Sequence, residues 1–167
     1  YEHDYMAFGY KNSRIWIKLD ILNLSQKPKY LEIDQPRLDK IDVYKISENE
    51  IIEAKKNIGY KHPFNNREVD HRNFVFNVST SEKPVTYIFR IESSGRITFN
   101  MTLLSKDEFL IKSKRENIFI WTFIILMTLF GFYFLFSFYL FRDKELVYFC
   151  LFNILFVIWG LTYSGIG

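Results

Sequence analysis

The most suggestive chemical pattern in the sequence is an outward-facing tryptophan beside ionic and amide side chains on predicted strands. In segments 15–22, 87–92 and 97–104, apolar and polar residues alternate, which is typical of strands with one buried face. If the apolar residues point inward, six residues point outward: Trp16, Lys18, Asp20, Arg90, Glu92 and Asn100. An indole ring can cover the apolar face of a sugar while polar groups bind its hydroxyls. The six residues are therefore the candidate binding site for a carbohydrate or similar small-molecule ligand.

The same pattern has a purely structural interpretation. Ionic side chains that face outward from a sheet often form cross-strand ion pairs in solvent, and a loop could cover Trp16. Tyr60, Phe64 and Arg67 lie in a long predicted loop, where binding residues often occur, but their position alone does not assign them a role.

Motifs for catalysis or metal binding are not found in the sequence. It contains no glycine-rich phosphate loop, no nucleophile elbow and no paired cysteine motif. His3, His62 and His71 lie in irregular segments without the spacing of metal ligands, and we interpret them as solvent-exposed loop residues. We therefore expect no catalytic residue, no metal ligand and no cofactor, so this chain is not predicted to be an enzyme.

Composition excludes several classes of protein. A single cysteine, Cys150, excludes an intramolecular disulfide framework. A net charge of +3 without a clustered basic stripe argues against a nucleic-acid partner. Charged residues make up 25% of the chain, but only Arg142, Asp143, Lys144 and Glu145 are charged after residue 117, so a wholly soluble domain is excluded.

The elements that would position the candidate site are short strands between residues 14 and 105. Further strands are predicted at 30–34, 41–46, 50–54 and 73–78, and residues that favour turns separate the segments. About seven or eight strands at this spacing indicate a two-layer antiparallel sandwich. We expect residues 1–110 to form this domain.

Two long uncharged segments follow the predicted sandwich. Residues 118–141 would form a helix about 36 Å long, enough to cross a hydrocarbon core of about 30 Å, and residues 146–167 form a second such segment. The predicted parts are a connector at 111–117, a first transmembrane helix at 118–141, a turn at 142–145 and a second helix at 146–167. Contact with membrane lipid follows from this interpretation.

The short turn predicts an antiparallel helical hairpin, with both of its ends on the same side of the membrane. Lys106, Lys112, Lys114 and Arg115 precede the first helix, so a positive-inside count would place the N-terminal domain in the cytoplasm. The chain begins at Tyr1 rather than Met and stops directly after the second segment. We expect it to be cut from a longer polytopic protein whose N-terminal region has been removed.

Several short motifs resemble one known family when they are taken in order. They are NSRIWIKL at 12–19, LN at 22–23, LEI at 31–33, Pro36, LDKIDVY at 38–44, Gly59, Arg67, YIFRIES at 87–93 and SKDEF at 105–109. In the membrane segments they are Tyr133, Arg142, Asp143, Tyr148 and Gly160. Together they resemble the second type of extracellular domain in bacterial seven-transmembrane receptors with diverse intracellular signalling modules, followed by the start of that family's seven-helix region.

The resemblance implies a mainly β fold, a jelly-roll-like antiparallel β-sandwich related to carbohydrate-binding modules, followed by a transmembrane α-helical hairpin. It also implies a sandwich outside the cytoplasmic membrane, the opposite of the charge count, and we follow the resemblance because exported domains translocate largely regardless of nearby charge. The helices of the family lead to a cytoplasmic kinase, diguanylate cyclase or phosphatase. A homodimer through the full-length receptor is compatible with this arrangement.

The function predicted is therefore ligand sensing by part of a bacterial signalling receptor. Two alternatives stay open: a carbohydrate-binding module tethered to a membrane-bound envelope enzyme, and a scaffold that recruits partner proteins. Five further membrane spans and a signalling domain after the chain would favour the receptor, and an enzyme domain there would favour the tethered module.

Overall fold

A computed structural model describes residues 6–10, 14–25, 27–48 and 50–164. These residues form nine strands, one short 3-10 helix at Phe64–Asn66 and two α-helices. The strands are β1 Met6–Tyr10, β2 Ile15–Ile21, β3 Lys29–Ile33, β4 Lys40–Ser47, β5 Glu50–Ile58, β6 Phe74–Val78, β7 Val85–Glu92, β8 Arg96–Phe99 and β9 Met101–Ser105. The helices are α1 Lys106–Phe141 and α2 Lys144–Ser164. His3, Asn12 and Ser13 lie outside the described residues, as does the end of the second predicted helix, 165–167.

The strands form open antiparallel sheets. One sheet has four strands in the order β2-β7-β4-β5, another has three in the order β6-β3-β9, and β1 pairs with β8. The mainly β fold predicted from the alternation is confirmed, and the sheets are not closed into a barrel.

The core of the sandwich is built from the inward faces of these sheets. Strand β7 buries Tyr87, Phe89 and Ile91, while the residues between them are only half-buried. From the three-stranded sheet, β3 and β6 contribute Leu31, Ile33, Phe74, Phe76 and Val78. The rings of Phe76 and Phe89 meet edge to face at 5.4 Å between centroids. Apolar side chains from different sheets thus fill one shared interior, which is the arrangement that the period-two pattern predicts.

The strand predicted over 97–104 is wrong in one respect, because the structure divides it at Asn100. The Asn100 N–H donates to Oδ1 of Asp34 at 2.5 Å, and its carbonyl accepts from the Asp34 N–H at 3.2 Å. Strand β8 before this point pairs with β1, and β9 after it pairs with β3. The change of partner ends the predicted inward alternation, so Leu103 is exposed rather than buried. Strand β1 was not predicted.

Helix α1 begins directly after β9 with a capping box. The N–H and hydroxyl of Ser105 both donate to Oε2 of Glu108, at 2.8 and 2.7 Å, and the Glu108 N–H donates to the Ser105 hydroxyl at 3.3 Å. One turn on, Phe109 is buried, with its ring 5.2 Å from that of Tyr30 and 5.0 Å from that of His71. The helix then continues without a break through the predicted connector, 111–117.

The chain divides into two compact units, Tyr1–Phe109 and Leu110–Gly167. In the second unit, α1 ends where Arg142 takes a left-handed conformation with φ of 50° and its N–H bonds the Phe138 carbonyl at 2.8 Å. The Asp143 carboxylate then accepts from the Glu145 N–H at 3.0 Å and caps the start of α2. Both helices expose large apolar side chains along most of their length.

Candidate functional site

Five of the six predicted site residues lie on the outer face of the four-stranded sheet. Trp16, Lys18 and Asp20 alternate along β2, and each faces a residue of β7: Trp16 pairs with Arg90, Lys18 with Ile88 and Asp20 with Thr86. Glu92 extends the β7 row and pairs with Lys40 of β4. The sixth residue, Asn100, lies between β8 and β9, outside this sheet, where its backbone bonds Asp34. The structure therefore does not place Asn100 with the other five.

Trp16 is 58% exposed, so no loop of the described chain covers it. The Arg90 guanidinium lies 5.8 Å from the centroid of the indole ring, within range of a cation–π interaction. Arg90 is held in turn by Glu92 and by Asp42, whose Oδ2 lies 3.4 Å from Nη1. The exposed indole predicted from the sequence is thus present, and the guanidinium beside it is held by two carboxylates.

The ion pairs of the alternative interpretation are also present. Lys18 lies 3.3 Å from Asp20, which also accepts a hydrogen bond from the Thr86 hydroxyl. This hydrogen bond is the largest influence on the Asp20 carboxyl and, with Lys18, lowers its pKa from the usual value. The charged side chains in the part of the outer face around Lys18 and Asp20 therefore pair with one another.

An open cleft of about 450 Å³ adjoins the other end of this face, around Glu92. We call it the polar cleft, and its lining residues are Arg14, Asp39, Lys40, Lys61, His62, Glu92, Ser93 and Ser94. Arg14 directly precedes β2, two residues from Trp16, and its Nε lies 2.7 Å from Oε1 of Glu92. Because residues two apart on an extended strand share a face, Arg14 connects the polar cleft to the Trp16 surface.

Asp39 organises one wall of the polar cleft. Its Oδ2 accepts from Lys61 Nζ at 2.7 Å, from the Ser94 N–H at 2.8 Å and from the Ser94 hydroxyl at 2.7 Å. Partial burial tends to raise the pKa of Asp39, but the hydrogen bonds from Lys61 and Ser94 outweigh it, so the pKa lies below its usual value. The carboxylate is therefore charged at neutral pH, with its donors already supplied by the protein.

Gly59 allows the turn that carries Lys61 to approach this wall. A Cβ at position 59 would lie 2.3 Å from the Asp39 carbonyl oxygen, which is closer than any side chain permits. The flanking backbone bonds are from the Tyr60 N–H to the Leu38 carbonyl at 2.8 Å and from the Lys61 N–H to the Asp39 carbonyl at 3.3 Å. Only glycine fits between these two segments, so glycine at position 59 allows Lys61 to lie beside Asp39.

The interpretation of His62 and His71 as exposed loop residues is wrong. Both are half-buried: His62 lines the polar cleft, and His71 packs on Phe109 while its Nδ1 accepts from the Asn73 N–H at 3.2 Å. In the described part of the chain no group of three histidine, cysteine or acidic residues is placed to hold a metal ion.

A second ionic cluster lies at the other end of the four-stranded sheet. Lys45 Nζ lies 2.8 Å from Glu53 and 3.7 Å from Glu68, and Lys55 lies 3.4 Å from each of the same two carboxylates. Tyr87 is next to this cluster. Burial, followed by the charges of Glu68 and Glu53, raises the pKa of Tyr87 to about 12. Both lysines of this cluster therefore pair with both of its carboxylates.

Inside the helical unit, polar side chains meet between the two helices. Asn153 Nδ2 lies 3.6 Å from the Met127 sulfur, and Ser137 and Cys150 are buried. A groove of about 240 Å³, lined mainly by apolar side chains, runs beside them. Ser137 and Cys150 are thus shielded, while large apolar side chains such as Phe152 and Leu155 are exposed.

Arg67, one of the residues in the resemblance, supports the loop before β6. Its Nη1 donates to the carbonyls of His71 and Arg72 at 2.6 and 2.7 Å, and its guanidinium lies between the rings of Phe64 and Phe74. Burial is the main influence on this guanidinium and lowers its pKa. Arg67 and Phe64 therefore hold the loop together and do not belong to the polar cleft.

Comparison with known proteins identifies the soluble part of the chain. Residues 1–105 match the family model described as 7TMR-DISM extracellular 2. No curated protein matches the chain. Both helices that follow are long and apolar enough to cross a membrane. An extracellular domain family followed by two such helices supports a membrane protein with an outward-facing N-terminal domain, and suggests the sensor of a membrane receptor. The chain belongs to the 7TMR-DISM extracellular 2 family.

Proposed function

We propose that this chain is the extracytoplasmic ligand-sensing part of a bacterial signalling receptor in the cytoplasmic membrane. In this proposal the sandwich binds a carbohydrate or similar small ligand, and the helices pass the signal to a cytoplasmic output domain. The observation that carries it is the exposed indole of Trp16 beside the polar cleft, in a domain of a receptor-sensor family.

The geometry suits a small polar molecule with one apolar face. An indole offers a flat apolar surface, and the neighbouring cleft offers hydrogen-bond donors and acceptors. Arg90 fixes the indole through its own bonds to Glu92 and Asp42, so little side-chain freedom would be lost on binding. A protein-recruiting scaffold would instead use a broad apolar patch, and the described face at Trp16 is mostly ionic.

Fluorescence of Trp16 tests this function directly. Trp121 and Trp159 lie in the helices, so the double variant Trp121→Phe and Trp159→Phe leaves Trp16 as the sole tryptophan. This chain, in lipid nanodiscs, is titrated with D-glucose, D-galactose, cellobiose and their uronic acid counterparts. We expect a saturable change in emission with at least one of these sugars.

Calorimetry on the otherwise unaltered chain provides the control. Trp16→Ala is expected to weaken the binding of the same sugar by roughly tenfold, because it removes the aromatic contact. Leu24→Ala removes an exposed apolar side chain outside this face and is expected to leave binding unchanged. If none of the sugars gives a saturable signal by either method, the proposed ligand class is wrong.

A further inference from the structure

One end of the sandwich is defined by the point at which the chain leaves it. Strand β9 ends at Ser105, which pairs with Lys29 at the start of β3, and Lys29 also pairs with Val78 at the end of β6. Helix α1 begins at the next residue, Lys106. We call this end of the sandwich the exit end, because the chain continues from it into the first helix.

The four-stranded sheet also reaches the exit end. The Ser81 N–H, in the loop after β6, donates to the Asn23 carbonyl at 3.1 Å, and Asn23 Nδ2 donates to the Val78 carbonyl at 3.3 Å. The loops that follow β2 and β6 therefore meet at this end. Lys83, in the loop after β6, pairs with Glu48 in the turn between β4 and β5. This turn and the start of β5 thus belong to the exit end as well.

Four strongly exposed aliphatic side chains lie at the exit end. Leu22 and Leu24, in the loop after β2, are 51% and 73% exposed. Ile51 and Ile52, near the start of β5, are 62% and 64% exposed, and Ile52 is an extra residue in the register of β5 with β4. No other leucine, isoleucine or valine in the described part of the sandwich is more than half exposed. The exposed aliphatic side chains are therefore grouped at one end.

The chain itself brings this end close to lipid. Large aliphatic side chains are unfavourable in water, and a group of them on a surface marks contact with a protein or a membrane. Ile118, where the uncharged first span begins, lies nine residues after Phe109, which is about 14 Å along a helix. The headgroup layer accounts for about 5–8 Å of this distance. A lipid surface is therefore within reach of the exit end in every molecule, whereas a partner protein would have to be recruited.

We propose that the exit end of the sandwich docks on the bilayer that α1 enters, with Leu22, Leu24, Ile51 and Ile52 inserted into its interfacial layer. Insertion removes these four side chains from water, and this gain is proportional to the apolar area buried. The surface is independent of the polar cleft, so the inference does not rest on sugar binding.

The charge of the exit end favours a neutral lipid surface. Lysines and acidic residues are interspersed there, for example Lys27 and Lys106 with Glu50 and Glu82. Anionic lipids attract clusters of basic residues, and the exit end carries no such cluster among its described residues. Apolar insertion, rather than electrostatic attraction, is therefore the interaction that holds the exit end on the membrane, and zwitterionic phosphatidylcholine is sufficient as the test surface.

Fluorescent probes on single cysteines test this contact in the full chain. Cys150 is the only cysteine, so Cys150→Ser leaves an introduced cysteine as the sole attachment point. The probe is placed at Leu24→Cys or at Ile52→Cys, and at Tyr60→Cys as the control. Tyr60 is 55% exposed at the opposite end of the sandwich, where its N–H bonds the Leu38 carbonyl. Each chain is reconstituted in phosphatidylcholine nanodiscs that contain a nitroxide either on the lipid headgroup or high on an acyl chain.

We expect both nitroxides to quench the probes at positions 24 and 52, and neither to quench the probe at position 60. With the probe at 52, Leu22→Ser should lower the ratio of inserted to free exit ends by about tenfold, because it removes one aliphatic side chain from lipid. Leu22→Ser combined with Leu24→Ser should lower this ratio by about a hundredfold. Tyr60→Ser is the matched control and should leave quenching at 52 unchanged.

The outcomes decide between insertion, mere proximity and a protein partner. Quenching by the headgroup nitroxide alone would show proximity without insertion and would overturn the inference. Absence of quenching by either nitroxide would also overturn it, even if a second copy or another protein shielded the probes from water. Equal losses in Tyr60→Ser and Leu22→Ser would show an effect unrelated to the exit end, with the same consequence. Circular dichroism reports whether each variant folds, and Ile51→Ser read at position 24 repeats the test if the loop variants do not.

Membrane recovery does not measure this contact. The two spans retain the chain in the membrane whether or not the exit end is inserted, so only the position of the probes relative to lipid reports docking. Sugar binding is measured separately, and its failure would leave this inference unaffected.

Discussion

The sandwich and the helical hairpin use the same apolar residue types in opposite ways. In the sandwich, Phe89 is fully buried among side chains from the other sheets, while in α2 Phe152 is 66% exposed. Charged residues cover the outer face of the sandwich, but in the described part of the hairpin the two buried side chains are those of Ser137 and Cys150. An exposed phenylalanine is costly in water and favourable in lipid, so burial within the protein has a different energetic meaning in the two units.

A second comparison is between the two ionic clusters of the four-stranded sheet. In one cluster Lys45 and Lys55 both pair with Glu68, whereas in the polar cleft Arg14 pairs with Glu92. Both consist of common charged residues on one sheet. They differ in exposure, since the Arg14 side chain is 66% exposed while those of Lys45 and Glu68 are 15% and 8% exposed, so the polar cleft is the more accessible of the two to a ligand.

Matched phenylalanine truncations give the largest expected difference between the two units. Phe89→Ala removes a ring from the fully packed core and should lower the free energy of unfolding of the sandwich by about 3–5 kcal/mol. Phe152→Ala removes a largely exposed ring and should leave the unfolding of the sandwich unchanged. Denaturant unfolding of the full chain in nanodiscs, followed by the β-sheet circular dichroism signal, measures both. Equal effects would contradict the contrast.

A lysine placed on an exposed leucine tests which medium surrounds each unit. Leu155, near the middle of α2, and Leu24, in the loop after β2, are 65% and 73% exposed. Leu155→Lys should disfavour membrane insertion of α2 by about 2.5–3.5 kcal/mol, because it places a charge near the centre of a span. Leu24→Lys should have no such effect. The fraction of chain recovered in the membrane after alkaline extraction is the measurement, and recovery of Leu155→Lys at the level of the unaltered chain would oppose a spanning α2.

Tyr87 reports how well the sandwich interior is sealed from water. Its pKa in the folded chain is raised to about 12 from an ordinary value of 10.0, so the unfolded chain loses this proton first as the pH rises. The contribution to stability is therefore complete below pH 10 and declines by about 2–3 kcal/mol between pH 10 and 12. Tyr87→Phe should remove this part of the pH dependence, as measured by thermal unfolding at each pH. Tyr60→Phe is the control because Tyr60 is exposed; an identical result for both variants would contradict the prediction.

Much of the fold could be predicted because its signals are local. Alternation in β2 and β7 identifies the strands and their inward faces, and the long uncharged segments identify the two helices. The division at Asn100 could not be predicted, because apolar residues alternate on both sides of it and the break depends on a bond to Asp34, which is 66 positions away. Strand β1 has too little alternation in five residues that include a glycine.

Only part of the candidate site could be predicted from the sequence. It was possible to group Trp16, Arg90 and Glu92, because each alternates with inward apolar residues of its strand and therefore faces outward. Asp39, Lys61 and Ser94 were missed, since they lie in turns without periodicity and meet only through pairs 22 and 55 residues apart. One signal was available: Gly59 and the LDK motif at 38–40 both occur in the family resemblance, and the structure brings them into contact.

The start of α1 has a consequence for rotation along the chain. The Ser105–Glu108 capping box and the ring contacts of Phe109 mark the first turn of the helix. From there to Phe141 the helix is uninterrupted, so each residue is set at about 100° from the one before it. Inserting one residue in 111–117 would turn every later side chain by that angle, while inserting seven would restore the original azimuth to within about 20°. The number of residues in 111–117 therefore sets the direction in which the later side chains of α1 point relative to its own first turn.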